Sequence, residues 1–208
     1  MNNAADFSLE ERYSGLVCGL DEVGRGPLAG PVVAACVIIP KDKRNLDFIA
    51  HIKDSKKVSP KKREMLNEEI IANFPHAICA LSPQEIDKHN ILQASLLAMT
   101  KAHDEVLSTG ITLEHALVDG NKLPILSSPA TAVVKGDNKS KTIAAASIIA
   151  KVYRDRIMQE LAQEFPHYGW ERNSGYPTQQ HREALLAHGI TPHHRRSFAP
   201  VRRILEAR

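Results

Sequence analysis

Aromatic residues are scarce in this 208-residue chain: one Trp, four Tyr and five Phe, 5 % of the total. A core must therefore come from Leu, Ile, Val and Ala. Cysteine is nearly absent as well. Cys18, Cys36 and Cys79 are odd in number, lie far apart and form neither a C-x-x-C pair nor a zinc-ligand spacing. That excludes a disulfide scaffold and points to a reducing, cytoplasmic compartment. Long hydrophobic runs are missing too. The longest, Val32 to Ile39, is bracketed by Pro31 and Pro40 and is far too short to span a bilayer. Met1 to Arg12 is polar, so no leader or membrane anchor is expected. Charge is nearly balanced, with 27 Lys and Arg against 24 Asp and Glu, and a net +3 identifies no polyanionic partner by itself. No G-x-x-x-x-G-K-S/T loop supports ATP use, and no Ser-His-Asp or Cys-His arrangement stands out. His181, His188, His193 and His194 crowd together in sequence, but no second Cys or His pair completes a tetrahedral zinc set.

Hydrophobic residues make up 43 % and charged residues 25 %, an ordinary globular composition in a length suited to one domain. No repeat or low-complexity linker divides it. Leu16 to Val23 and Val32 to Ile39 read as strands joined by a glycine-rich turn. Its glycines fall as G-x-G-x-x-x-G, and Pro31 then opens a β-branched run where a dinucleotide-binding crossover needs a helix, so that reading is discarded. Pro60 after Ser59 opens a helix with Met65, Leu66, Ile70 and Phe74 on one face. His76 to Leu81 is a third strand. Ser82-Pro83-Gln84-Glu85 is a capping box, and Leu92, Leu96, Met99, His103 and Val106 continue a helical stripe until Gly110. On that stripe His103 is a helix-face residue and not a ligand. Ala116 to Asp119 and Thr131 to Lys135 read as short strands, Thr142 to Phe165 as a long Ala-rich helix, and Thr178 to His188 and Pro200 to Ala207 as further helices. The expectation is an α/β protein: a mixed sheet flanked by helices over residues 16–165 and a helical C-terminal extension over 166–208, all one domain.

Four carboxylates sit at the ends of these strands: Asp21, Glu22, Asp119 and Asp137. Ligands of open α/β sheets bind beyond strand ends, and neighbouring strands would bring the acids together. Crowded carboxylates are costly unless a cation neutralises them, and oxygen-only ligation suits Mg2+ or Mn2+. On an ideal strand, however, Asp21 and Glu22 point to opposite faces, so a bulge or strand end is expected there. Basic residues concentrate at Lys53, Lys56, Lys57, Lys61, Lys62 and Arg63 and again at Arg195, Arg196, Arg202 and Arg203. Each run alone could be a solvated surface; beside an acidic site both suit a phosphate backbone.

The order Asp21-Glu22-Val23-Gly24-Arg25-Gly26-Pro27, Asp54-Ser55-Lys56-Lys57, Val118-Asp119-Gly120, Lys135-Gly136-Asp137, Ala145-Ala146-Ser147-Ile148-Ile149-Ala150-Lys151 and Gly175-Tyr176-Pro177 closely resembles bacterial ribonuclease HII, from about Leu16 to Val201. Ribonuclease HIII fits less well, because it carries an extra N-terminal domain. The resemblance implies a ribonuclease H-like fold and an endonuclease of DNA replication and repair. Its substrates would be RNA–DNA hybrids and duplex DNA containing ribonucleotides. Cleavage would fall 5′ of the ribonucleotide and leave 3′-hydroxyl and 5′-phosphate ends. It assigns Asp21, Glu22, Asp119 and Asp137 as metal-binding catalytic acids, with Asp21 the expected bridging ligand. Two divalent cations about 3.5–4 Å apart would activate water and stabilise the leaving oxygen. Gly24, Arg25 and Gly26 would read the ribose and its phosphate, the 2′-hydroxyl being what separates RNA from DNA. Tyr176 would pack on the adjoining deoxyribose. Lys56, Ser147, Lys151 and Arg195 are expected phosphate contacts. Asp155 is expected to be a helix-surface ion pair and not a fifth ligand. A monomer is the default expectation. The rival readings are another metal-dependent nuclease of the same fold and a non-catalytic nucleic-acid-binding module.

Overall fold

The computed structural model describes residues 5–206. Val17–Val23 (β1) and Val32–Ile38 (β2) pair antiparallel. β2 is buried along its whole length, which is why it reads as an unbroken apolar run and not as an alternation. β3 (His76–Leu81) adds antiparallel to β2, β4 (His115–Asp119) parallel to β1, and β5 (Ala130–Val133) parallel to β4. The resulting order, β3-β2-β1-β4-β5, puts β1 at the centre of a mixed five-stranded sheet.

Helices cover both faces. α1 (Pro60–Asn73) and α4 (Lys141–Glu164) pack on one side, where Val33, Ala35 and Val37 meet Leu66, Ile70, Ile148 and Ile149. α3 (Ile91–Ser108) covers the other, with Ala94, Ala98, Met99 and Ala102 against Cys18, Leu20, Ala34 and Cys36. The start of α4 lies unusually close to β1. A Cβ on Gly19 would come within 2.2 Å of the Thr142 carbonyl carbon, so only glycine permits this approach. The buried Ala144, Ala145 and Ala146 continue the close seam. Buried Glu10 fixes the helix start by accepting from the Thr142 amide at 3.0 Å and from the Ser140 and Thr142 hydroxyls at 2.6 Å each.

Several expectations shift. The helix beginning at Ser82 is two helices: α2 (Pro83–His89) ends at Asn90, whose positive φ of 63° breaks the run, and Asn90 then caps α3 by accepting from Gln93 N. β5 stops at Val133, not Lys135, because Lys135 takes a left-handed conformation. Met65 points out to solvent; the inward stripe of α1 runs through Leu66, Ile70 and Phe74. Beyond α4, the helices α5 (Trp170–Asn173), α6 (Gln179–His188) and α7 (Ala199–Glu206) gather around Trp170. His181 and His194 are buried there and hydrogen-bond through their Nε2 atoms at 3.0 Å, with Trp170 Nε1 donating to His181 Nε2. These histidines are core residues. His103, also buried, hydrogen-bonds Ser128 and Asp104.

Candidate active site

β1 runs past the end of β4: their parallel pairing stops at Leu20 opposite Val118, while β1 stays in register with β2 through Val23. The last residues of β1 therefore have no β4 neighbour, and Asp119, the last residue of β4, faces the gap. Ligand oxygens of Asp21, Glu22 and Asp119 lie within 4.8 Å of one another there.

Of the bulge or strand end expected there, no bulge is present, and β1 ends at Val23, one residue after Glu22. Pairing with β2 is regular at Asp21–Ala35 and Glu22–Ala34, so the two acids do leave opposite faces of the strand. Asp21 shares its face with Gly19, which lies against α4, whereas Glu22 shares its face with Cys18 and Leu20 on the α3 side. The β1–β4 pairing ends at Leu20–Val118, and beyond it the Glu22 and Asp119 carboxylates come close although Glu22 leaves the face opposite to Asp21. Glu22, Arg25 and Asp119 accordingly line clefts on both sides.

The fourth acid arrives by a different route. Asp137 lies in a short 3-10 turn after β5, Gly136–Asn138, and lines the same cavity outside the tight trio. The Gly136 amide of that turn donates to Asp119 Oδ1 at 2.6 Å and so aims the Asp119 carboxylate. Asn138 Nδ2 donates to Asp137 Oδ1 at 2.8 Å, and Lys57 Nζ donates to Asn138 Oδ1. Asp54, buried, accepts from the Lys56 amide at 3.0 Å. The Asp54–Lys57 turn thereby braces the Asp137 turn. Asp54 and Asn138 were not singled out from the sequence: Asp54 stands inside a quoted motif, and Asn138 only directly follows one.

The pocket concentrates charge of one sign. Burial pushes the Asp21 carboxyl well above the usual carboxylate range, and Glu22, Asp119 and Asp137 push it further. Burial also raises Glu22, against the pull of Arg25, whose guanidinium lies 3.2 Å from Glu22 Oε1. Asp137 is raised by burial too, partly offset by its Asn138 hydrogen bond. Neither Asp21 nor Asp119 has a cationic side-chain partner among the described residues. Asp21 uses Oδ1 to accept from the Glu22 amide at 2.7 Å, and Asp119 uses Oδ1 for Gly136, and neither carboxylate's other oxygen accepts a hydrogen bond from the described residues. Clustered, hard, partly unengaged oxygens fit a Mg2+- or Mn2+-type cation.

Around the acids is a cavity of ≈ 440 Å³ whose walls include Gly24, Arg25, Gly26, Lys56, Ser147, Lys151 and Tyr176. A larger, shallower groove along β3 contains none of these groups. Tyr176 is 42 % exposed, so it is not a core tyrosine, and a Cβ on Gly26 would touch its ring at 3.3 Å. Ser147 is buried and its hydroxyl donates back to Ala144 O at 2.8 Å. Lys151 Nζ lies 2.5 Å from Asp155 Oδ1, and Arg63 approaches the other Asp155 oxygen at 3.6 Å, the ion pairing expected of Asp155.

One expected phosphate contact needs correction. Arg195 is fully buried. Its guanidinium is spent on main-chain carbonyls of residues 24–31 and cannot reach a phosphate, because those carbonyls and the surrounding core enclose every donor. Arg196 and Arg202 are exposed. Arg154, also buried and unremarked in the sequence, binds the same segment.

The ribonuclease HII family profile matches residues 18–201. A ribonuclease HII of Ruegeria sp. is 53 % identical over 205 residues, covering 96 % of this chain and 86 % of the relative. The ribonuclease H2 of Pyrococcus horikoshii superposes with a TM-score of 0.77 at 29 % identity, covering 92 % of this chain and 98 % of that one. Bst-RNase HIII, solved in complex with Mn2+, shares the fold at a TM-score of 0.77 and 19 % identity, with 93 % of this chain and 70 % of that one covered.

Proposed function

The chain belongs to the ribonuclease HII family, and from that premise we propose that it hydrolyses the RNA strand of RNA–DNA hybrids and cuts duplex DNA on the 5′ side of an embedded ribonucleotide, leaving 3′-hydroxyl and 5′-phosphate ends. It is a ribonuclease H, a metal-dependent nuclease with a ribonuclease H-like fold. The observation that carries the finer reading is the convergence of Asp21, Glu22 and Asp119 within 4.8 Å, in one cavity with Gly24–Gly26 and Tyr176.

Asp21, Glu22, Asp119 and Asp137 are the proposed ligands of Mg2+ or Mn2+, with Asp21, the most buried of them, in the bridging role. When bound, divalent metal supplies charge neutralisation, activation of the attacking water and stabilisation of the leaving oxygen. The protein groups do the positioning. Asp119 is aimed by the Gly136 amide and Asp137 by Asn138. Arg25 lines the cavity, and Gly26, without a side chain, leaves room between its backbone and the Tyr176 ring for a ribose. Tyr176 offers an exposed ring beside Gly26 for the adjoining sugar. Lys56 and Lys151 present ammonium groups to the backbone phosphates, a contact without sequence preference. The whole chain, residues 1–208, is proposed to act as one catalytic unit, and its place of work as the cytoplasm. No described helix is long and apolar enough to cross a membrane.

Incubation with Mg2+ or Mn2+ and a duplex carrying one ribonucleotide, beside an all-DNA duplex, tests this reading. The expected result is a single cut 5′ of the ribonucleotide whose upstream fragment can be extended by a polymerase, and an intact control. Equal cutting of both duplexes would assign a general metal-dependent nuclease instead. Binding without any cutting would assign a non-catalytic module.

A further inference from the structure

Arg154 and Arg195 are both completely buried, and neither makes an ion pair with a carboxylate among the described residues. Two like charges are rarely placed together in a core without counter-ions. Burial lowers them to about 10 and about 9, so both stay charged at neutral pH. What solvates them is main chain. Arg195 donates to the carbonyls of Gly24 (2.6 Å), Arg25 (3.1 Å), Gly30 (3.0 Å) and Pro31 (3.1 Å). Arg154 donates to Ala29 (3.1 Å), Pro31 (2.9 Å) and Ser174 (2.9 Å). The two guanidinium forks thus grip the 24–31 segment from beneath, and Arg154 ties it to the stretch that leads into Tyr176. Gly24, at φ +92°, could carry no side chain here, since a Cβ would lie 2.3 Å from Arg154 Nε.

Peptide planarity turns this grip into a statement about donors. In a trans peptide the carbonyl of one residue and the N–H of the next point in opposite directions. With the carbonyls of Gly24 and Arg25 pinned inward on Arg195, the N–H groups of Arg25 and Gly26 must point outward, at residues that line the acidic cavity. Neither amide has a hydrogen-bond acceptor among the described residues. We propose that Arg195, assisted by Arg154, is a positioning residue that holds the Arg25 and Gly26 amides as a preset donor pair for the ribose and its phosphate, and so sets ribonucleotide recognition without touching the substrate. The inference rests on the substrate reading given above.

The test compares wild type with Arg195→Lys, which keeps the charge but loses the fork, and with Trp170→Phe, a change in the same C-terminal core that touches no carbonyl of the loop. Steady-state cleavage of the single-ribonucleotide duplex is measured at 15 °C, alongside Mn2+ titration calorimetry and far-UV circular dichroism. Arg195→Lys is expected to raise KM at least tenfold while Mn2+ affinity stays within twofold; Trp170→Phe is expected to leave KM within twofold. A folded Arg195→Lys protein whose KM matches wild type, or whose KM and Mn2+ affinity weaken together, overturns the proposal. Should Arg195→Lys lack native dichroism, Arg154→Lys decides by the same criteria. Failure of the wild type to discriminate the ribonucleotide duplex from all-DNA would instead sink the substrate reading, which keeps the two outcomes separate.

Discussion

Asp21 carries the heaviest electrostatic load of any residue in the site. Its folded pKa is raised by burial and by three neighbouring acids, so the native state holds a proton that the unfolded chain releases more readily. The sign follows: without metal, its contribution to stability falls as pH rises through and above the normal carboxylate range. Asp21→Asn should therefore abolish turnover while raising the melting midpoint of the metal-free protein, by about 2–4 °C for each kcal/mol of relieved repulsion at this chain length. Calorimetric melts beside a cleavage assay check both halves, and a less stable or still active variant contradicts the assignment. Protons and cations compete for the same oxygens, so Mg2+ should lift the wild-type midpoint more at pH 8 than at pH 5; an equal lift at both would mean the acids do not bind it. Tyr176→Ala, which removes only an exposed ring, should lower kcat/KM on the single-ribonucleotide duplex by about tenfold or more, the scale of a lost sugar or base stacking contact, while leaving the melt unchanged. A single strand-end aspartate commonly just makes a turn, and the acids were legible because four of them fall at the ends of strands that one sheet must bring together. Arg195 was not. A guanidinium among His194, Arg196 and Arg202 reads as basic surface, and nothing local indicates that carbonyls 170 residues away enclose it.

At the scale of elements, the site depends on how closely α4 lies on β1. Gly19 sets that distance, and the Gly136 turn that aims Asp119 immediately precedes the start of the same helix. Gly19→Ala should cost about 3 kcal/mol or more, because the colliding atoms are main chain and cannot rotate away; a denaturant melt that shifts by less than about 1 kcal/mol would show that the helix can slide. The strands, the capping box and the long alanine-rich helix were readable because each is specified by its own local pattern. The break at Asn90 was not, since Asn90 sits between two helical stripes and either a capping or an interior asparagine fits the sequence. Nor was the route of Glu22 to the site. Strand alternation correctly put it on the far face, but where its carboxylate meets Asp119 is set by where β4 ends, a property of a neighbouring strand 98 residues on.

Over the whole molecule, a net charge of +3 is divided into an acidic pocket and basic surroundings. Lys56 lines the pocket, and Lys53, Lys57, Arg196 and Arg202 are exposed. Affinity for duplex nucleic acid should therefore fall with salt, with a log–log slope of about −0.9 for each phosphate contacted on DNA. Lys56→Ala should make that slope shallower by about 1 in fluorescence anisotropy titrations, with no change in ribonucleotide preference; an unaltered slope would place Lys56 outside the phosphate path.

Arg195 lies 171 residues after the Gly24 carbonyl it holds, whereas the carboxylates are all in place by Asp137. During synthesis the ribosome thus supplies the four acids well before the guanidinium fork that holds the loop next to them. A chain ending before Arg195 would leave the carbonyls of Gly24, Arg25, Gly30 and Pro31 without the donors that hold them, so the loop beside the acids is the last part of the pocket to be secured.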